Sequence, residues 1–327
     1  EWGFEWLKLD FGYYAMFGHD FYEADYTREE AWRSSMQVIR DALGEDTFFL
    51  IIGQMGLNYG LADGGRLTLD TMPVWEHEPG QTMLMEEAGL KPSLRTFTRR
   101  WYVQDRIWVN HPDLFFFRSN TLDETWPRVT FTEARTFATA ISLTGGIVKL
   151  GDRLVDLDGD AINVIRTMIP VYPTPARPLD VFEREFPEVY LQTIDAPLDG
   201  FAEPYHVLGL FHWGFNVDQT VNPYVPIDDD EADRVHSMDL EALGIEGPRL
   251  AYEFWSGEYL GTIEATAEFS VPSHTGWMVA LREPSGVPQF LGWNRQITMG
   301  GVLLEEVSWD EDASSLILPL HAAAPSE

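Results

Sequence analysis

The sequence has 327 residues, 45% of them hydrophobic and 13% aromatic, which is enough apolar material to bury a core and too much for a disordered chain. With 53 Asp and Glu against 22 Lys and Arg, the formal charge is −31, which excludes nucleic acid and anionic membranes as natural partners because both would be repelled. There is no cysteine, so disulfides, thiolate metal sites and cysteine nucleophiles are excluded as well.

Only Lys8, Lys91 and Lys149 are lysines, the remaining cations being arginine. Self-repulsion at this charge costs stability in dilute buffer and is screened in concentrated salt. A salt-loving source is the expectation, with an ordinary acidic enzyme as the alternative. The longest apolar runs, such as 48–53, fall far short of the roughly 20 residues that a bilayer-spanning helix needs. The sequence opens at Glu1 on a strand-like run, without an initiator Met, so upstream sequence is expected. The compartment is not fixed, a cytoplasmic one being favoured, and homo-oligomerisation is left open.

Along the chain, short strand patterns alternate with helical ones, as βα units around a parallel sheet require. Residues 4–9 read as a strand ending at Asp10. Thr27 and Glu30 form a capping-box pair that opens a helix through about Leu43, with Gly44 as its stop. Residues 48–53 are a second buried strand and 61–67 a third. Trp101, Val103, Ile107 and Trp108 give 98–109 a helical spacing, which leads into Asn110-His-Pro-Asp113 and an apolar strand over 114–117. A helix over 132–143 stops at Gly145-Gly146, a fifth strand covers 147–150, and a helix over 161–168 follows. Asp156-Leu-Asp-Gly-Asp160 has its Gly at the wrong position for a calcium loop and reads as an Asp-rich helix start.

Five strands in about 170 residues match the share of an eight-stranded barrel expected from roughly 250 residues in total. Past Pro170, the prolines 170, 173, 175 and 178 mark a linker, and 206–213, 250–255 and 277–281 are strands of an antiparallel sandwich. The expected architecture is therefore α/β: the C-terminal part of a (β/α)8 barrel over 1–170, then an antiparallel β-sandwich over 171–327. The acidic stretch Asp228-Asp-Asp-Glu-Ala-Asp233 reads as a solvated loop. The histidines lack metal-ligand spacing.

Barrel chemistry sits at the carboxyl ends of strands. Asp10 ends Trp6-Leu-Lys-Leu-Asp10, and Lys8 lies on the same strand face. A second carboxylate, Asp70, follows Arg66 in Ala62-Asp-Gly-Gly-Arg-Leu-Thr-Leu-Asp70. Glycosyl transfer uses such a pair, set roughly 5 to 5.5 Å apart in retaining enzymes. Arg66 would favour the ionised nucleophile. Singly, each Asp is as well explained as a cap or salt-bridge partner.

The motifs Trp6-Leu-Lys-Leu-Asp-Phe11, Ala62 to Asp70, Arg106-Ile-Trp-Val-Asn-His-Pro-Asp113 and Phe131-Thr-Glu-Ala-Arg135 occur in this order. The set resembles the melibiase-type α-galactosidases of glycoside hydrolase family 36, in the clan shared with family 27. The resemblance implies Asp10 as nucleophile, Asp70 as acid/base, Lys8 as a sugar contact, Arg66 contacting the sugar or the nucleophile, and Asp113 lining the pocket. Two departures stand out: His111 replaces an Asp of the Asn-Asp-Pro-Asp motif, and Gly53-Gln54 replaces a Cys near the sugar's 2-position, which makes Gln54 a candidate contact. Trp75, close after Asp70, is the candidate stacking platform, whereas Trp101 and Trp108 read as core, and Arg295 is given no catalytic role.

The implied reaction is double-displacement hydrolysis of terminal α-galactosides, with no metal or organic cofactor. Another α-glycosidase specificity, such as α-N-acetylgalactosaminidase, and a non-catalytic carbohydrate-binding or assembly fragment are the alternatives. The barrel strands before Asp10 and the family's N-terminal domain are absent, so the chain by itself is expected to be inactive.

Overall fold

The computed structural model describes residues 3–17, 20–53, 55–75, 88–118, 129–195, 204–214, 232–302 and 307–319. Its first part is a parallel sheet of β1 (Trp6–Leu9), β2 (Phe48–Ile52), β3 (Gly64–Arg66) and β4 (Val109–His111) in that spatial order, followed by a parallel pair of β5 (Leu114–Phe115) and β6 (Lys149–Leu150). Helices fill the crossovers, as a parallel sheet demands. Two of them open on complete capping boxes, the first of which was read from the sequence. In α1 (Arg28–Leu43), Thr27 and Glu30 form a complete capping box, and Gly44 follows at φ 74°. In the helix over Phe131–Ser142, Thr130 and Glu133 do the same.

Alternation along β2 separates two environments. Phe49 and Ile51 pack with Trp32 and Met36 of α1, while Leu50 and Ile52 are buried on the opposite, barrel-interior face. The pairing Lys8↔Leu50 puts Lys8 on that interior face, and Ile52↔Arg66 with Arg66↔His111 puts both of these on it too. Two glycines make the close approach of β3 feasible. A Cβ on Gly65 would lie 2.2 Å from the Trp108 ring, and one on Gly64 would lie 2.9 Å from Phe48.

One expected element is corrected. The segment 98–109 is not a helix: α2 spans Leu90–Arg99, a single 3-10 turn covers Trp101–Val103, and Val109 already pairs with Gly64 in the sheet. Asp105 adopts φ 57°, a left-handed conformation that a helix cannot absorb. The spacing that looks helical in fact aims Val103 and Trp108 into the core from a turn, so strand pairing overrides a local pattern.

Two longer helices follow, α3 (Phe131–Ser142) and α4 (Gly159–Met168), the latter capped by Asp158, whose carboxylate accepts from Ala161 N–H at 2.9 Å. Beyond them lies a six-stranded sheet in the order β12-β11-β14-β9-β8-β7, from β7 (Arg177–Pro178), β8 (Val189–Ile194), β9 (Tyr205–His212), β11 (Arg249–Glu253), β12 (Glu258–Ile263) and β14 (Thr275–Arg282), with every pairing antiparallel. Alternation again decides the layers. Val207, Phe211, Met278 and Ala280 belong to the large core shared with α3, whereas Leu208, Leu210, Val279 and Leu281 face a second core. An antiparallel ribbon of β10 (Arg234–Asp239) and β13 (Thr266–Val271) closes that second core with Phe269 and Val271. The molecule thus joins parallel strands arranged as part of a barrel to an antiparallel layered domain. Residues 228–231 of the acidic stretch lie outside the described residues, and among the described residues no helix is long and apolar enough to cross a membrane.

Candidate active site

The carboxyl ends of β1, β3 and β4 lie level, because Leu9 pairs with Ile51, Ile52 with Arg66 and Arg66 with His111. Asp10 follows β1 directly and is exposed, its Oδ1 accepting from Phe11 N–H at 2.8 Å. Phe11 then turns the chain at φ 54°, and such a conformation outside glycine costs energy that surrounding structure must offset.

Arg66 is the hub of the second cluster. Its Nη1 lies 2.7 Å from Asp70 Oδ1 and 3.7 Å from Asp113 Oδ1, and its Nε donates to the Thr68 carbonyl at 3.1 Å. The two carboxylates differ in setting, the Asp70 side chain being 78% exposed and that of Asp113 only 3%. Asp113 is held from other sides as well. Thr71 N–H donates to its Oδ2 at 2.9 Å, and its own N–H donates to His111 Nδ1 at 3.2 Å. Its backbone takes φ 72°. Asp113 and Phe11 are thus two non-glycine residues in the left-handed region at one end of the sheet.

Electrostatically the interior end is cationic, in a chain that is overwhelmingly acidic. Burial, then the charges of Lys149, Lys8 and Arg66, pushes the His111 imidazole down to about 3, so the ring is neutral at ordinary pH. Lys149 is lowered first by burial and next by the charge and hydrogen bond of Lys8, with Asp113 opposing.

The structure therefore brings Lys8, Arg66, Asp70 and Asp113 together around the strand ends, with Asp10 at the end of the edge strand β1. Arg66 pairs with Asp70 and Asp113. Gln54 lies outside the described residues. Trp75 is 5% exposed, and its indole packs against Trp213 and His274, with ring centroids at 6.3 and 5.9 Å, so its faces are taken up by the antiparallel domain. Lys149 and His111 were not among the residues chosen from sequence. The scarcity of lysine was the available signal for the first, and the departure at the Asn-His-Pro-Asp motif for the second.

No protein-family profile matches the chain. Among solved structures, the chain is similar to a family 27 β-L-arabinopyranosidase from Geobacillus stearothermophilus, with TM-score 0.55, 16% identity, and 88% of this chain and 60% of that chain covered. It is similar also to α-galactosidase I from Mortierella vinacea, with TM-score 0.59, 10% identity and coverage of 87% and 69%. A third is the isomalto-dextranase of Arthrobacter globiformis T6 in complex with panose, with TM-score 0.55, 16% identity and coverage of 86% and 46%. The fold is that of these glycoside hydrolases. The chain spans about three fifths of the arabinopyranosidase's length. The three enzymes carry different sugar names on one architecture, so the fold does not choose the sugar.

Proposed function

We propose that the chain belongs to a retaining glycoside hydrolase that cleaves terminal α-galactosides by double displacement, and that it is a melibiase-type enzyme of family 36. Asp10 attacks the anomeric carbon while Asp70 protonates the departing oxygen. Asp70 then takes a proton from water, which displaces Asp10 from the glycosyl-enzyme. Lys8 and Arg66 contact sugar hydroxyls, and Asp113 lines the pocket while holding Arg66 in place. Gln54 and Trp75 complete the proposed set of sugar contacts. The observation that supports this most is the meeting of Arg66, Asp70 and Asp113 at the strand ends of the sheet whose edge strand carries Lys8 and leads into Asp10, with β2 between. The solved structures with other sugar names support the neighbouring reading, another glycosidase specificity on the same carboxylate pair.

Rescue chemistry tests the roles. Asp10→Gly should lose hydrolysis, and azide should restore it by forming a glycosyl azide of inverted configuration. Asp70→Gly should retain turnover of substrates with strongly activated leaving groups, which need no proton. Azide without effect on Asp10→Gly would remove that residue from the nucleophile role, and matched nitrophenyl glycosides would identify the sugar.

A further inference from the structure

The last residue of β14 and the loop after it, together with a hairpin of β15 (Ser308–Asp310) and β16 (Ser315–Ile317), enclose a cavity of about 400 Å³, a size at which proteins hold small ligands. β14 starts beside α3, where Thr136 Oγ1 donates to the His274 carbonyl, and reaches Arg282 about 24 Å further on. There Arg282 Nη2 donates to the Met299 carbonyl, and Ile297 N–H donates to that of Thr167 in the last turn of α4. Crossover helices run back toward the amino ends of parallel strands. The cavity therefore lies at the opposite end of the molecule from Asp10 and Asp70.

One wall is braced from within. The Arg282 guanidinium lies 3.6 Å over the Tyr205 ring, and its Nε donates to the Leu291 carbonyl at 2.8 Å. Ser285 N–H donates to Gln289 Oε1 at 2.6 Å, and Gln289 Nε2 donates to the Glu283 carbonyl at 3.0 Å, which fixes the loop that carries Phe290. The facing wall is the hairpin, where Trp309 and Leu316 are directly paired and so share one face. Among the described residues the Trp309 indole makes no hydrogen bond and no ring or cation contact, whereas Trp75, Trp213 and Trp255 each pack against another ring. The Glu283 carboxylate, also in the lining, has no hydrogen bond or ion pair among the described residues. The cavity thus offers apolar faces, one uncommitted N–H donor and one uncommitted carboxylate acceptor.

These groups select among ligands. A purely apolar guest would cover the Glu283 carboxylate without giving it a partner, and an anion would be repelled by it while Arg282 is already engaged. A cation would suit the carboxylate and leave the indole N–H unmet. A pyranose meets both, because its C–H face suits an aromatic ring and its hydroxyls donate to a carboxylate and accept from an N–H. We propose that this cavity is a saccharide-holding site, separate from the strand-end cluster, that takes one neutral pyranose unit of a glycan between Trp309 and the Phe290 loop. The proposal goes beyond the hydrolase reading, and its occupancy involves no bond cleavage.

Fluorine NMR on the 327-residue chain labelled with 5-fluorotryptophan tests it. The chain has 12 tryptophans, and Trp309→Phe identifies the Trp309 signal by its loss. The methyl pyranosides of galactose, glucose and arabinose are the probes, and at least one should move that signal with saturation at millimolar concentration. Glu283→Ala, an exposed substitution that leaves the fold intact, should weaken this response at least about tenfold, the value of one hydrogen bond to a charged group. Cyclohexanol and choline, an apolar ring and a cation, should leave the signal in place at equal concentration. A Trp309 signal fixed under all three pyranosides up to about 0.1 M would overturn the site. So would an unchanged response in Glu283→Ala, or cyclohexanol or choline moving the signal as readily as the sugars. A fixed Trp309 signal in a chain that hydrolyses glycosides sinks this site alone. A moving signal in a chain whose Asp10→Gly variant azide fails to rescue sinks the nucleophile assignment alone.

Discussion

Lowering the pH from 7 to 5 adds a proton to His111 in the unfolded chain but not in the folded one, where burial and three nearby cations hold the ring down to about 3. Because the unfolded state binds more protons across this interval, stability rises with pH there. The contribution is complete above the ordinary histidine value of 6.5 and is lost progressively as pH falls toward the folded value of about 3. With those two values, the step from pH 7 to pH 5 removes about 2 kcal/mol. Acid also neutralises some of the 53 carboxylates and relieves self-repulsion, an effect of opposite sign, so the measurement must be a difference. His111→Asn removes the titrating group while keeping an acceptor for Asp113 N–H. Urea unfolding of both proteins at pH 7 and pH 5 in the same salt should show the advantage of the parent over the variant shrinking by about 2 kcal/mol. Curves that stay parallel within about 0.5 kcal/mol would refute the claim that the ring is buried neutral beside Lys8, Lys149 and Arg66.

Removing the guanidinium in Arg66→Met strands the buried Asp113 carboxylate and should destabilise by about 3–5 kcal/mol in a denaturant titration, whereas Asp70→Asn should cost under about 1 kcal/mol because that partner is exposed. Gly65→Ala forces a methyl to within 2.2 Å of the Trp108 ring and should cost about 1–3 kcal/mol, with a changed near-ultraviolet tryptophan spectrum. Raising potassium chloride from about 0.1 M to 1 M shortens the screening length from about 10 Å to 3 Å and should raise the thermal midpoint, while a midpoint indifferent to salt would show that the net charge carries little repulsion.

What could be read from sequence was local or strictly periodic. The capping box at Thr27 with Glu30 depends on residues three apart and appears as read, whereas the equivalent box at Thr130 with Glu133, just before the helix read over 132–143, went unread. β2, with its unbroken apolar run, and β9 and β14, with their alternation across two cores, also appear as read. What escaped depends on partners remote in the chain. The strand at Val109 to His111 exists because Gly64 to Arg66 lies beside it, and nothing in residues 98–109 states that. Lys149 sits on a strand that was legible, but its nearness to Lys8 comes from the arrangement of β1 and β6 in space. Trp75 was assigned by closeness in sequence to Asp70, and its indole instead joins Trp213 and His274.

The two carboxylates on Arg66 sit in opposite settings on one guanidinium. Asp113, 3% exposed and 3.7 Å from Nη1, is also fixed by Thr71 N–H and by its own bond to His111. Separating a buried pair like this leaves charge without solvent, so the Arg66–Asp113 pair is costly to break. Asp70 makes the shorter contact, 2.7 Å, yet its side chain is 78% exposed, and an exposed ion pair is worth about 1 kcal/mol or less because water substitutes for either partner. The shorter bond is therefore the one that can be given up. Asp113 fixes the direction of the guanidinium, and Asp70 can exchange it for a substrate oxygen at little cost. In the double displacement proposed above, the group that carries a proton to and from that oxygen needs this freedom, and Asp70 has it where the better-held Asp113 does not.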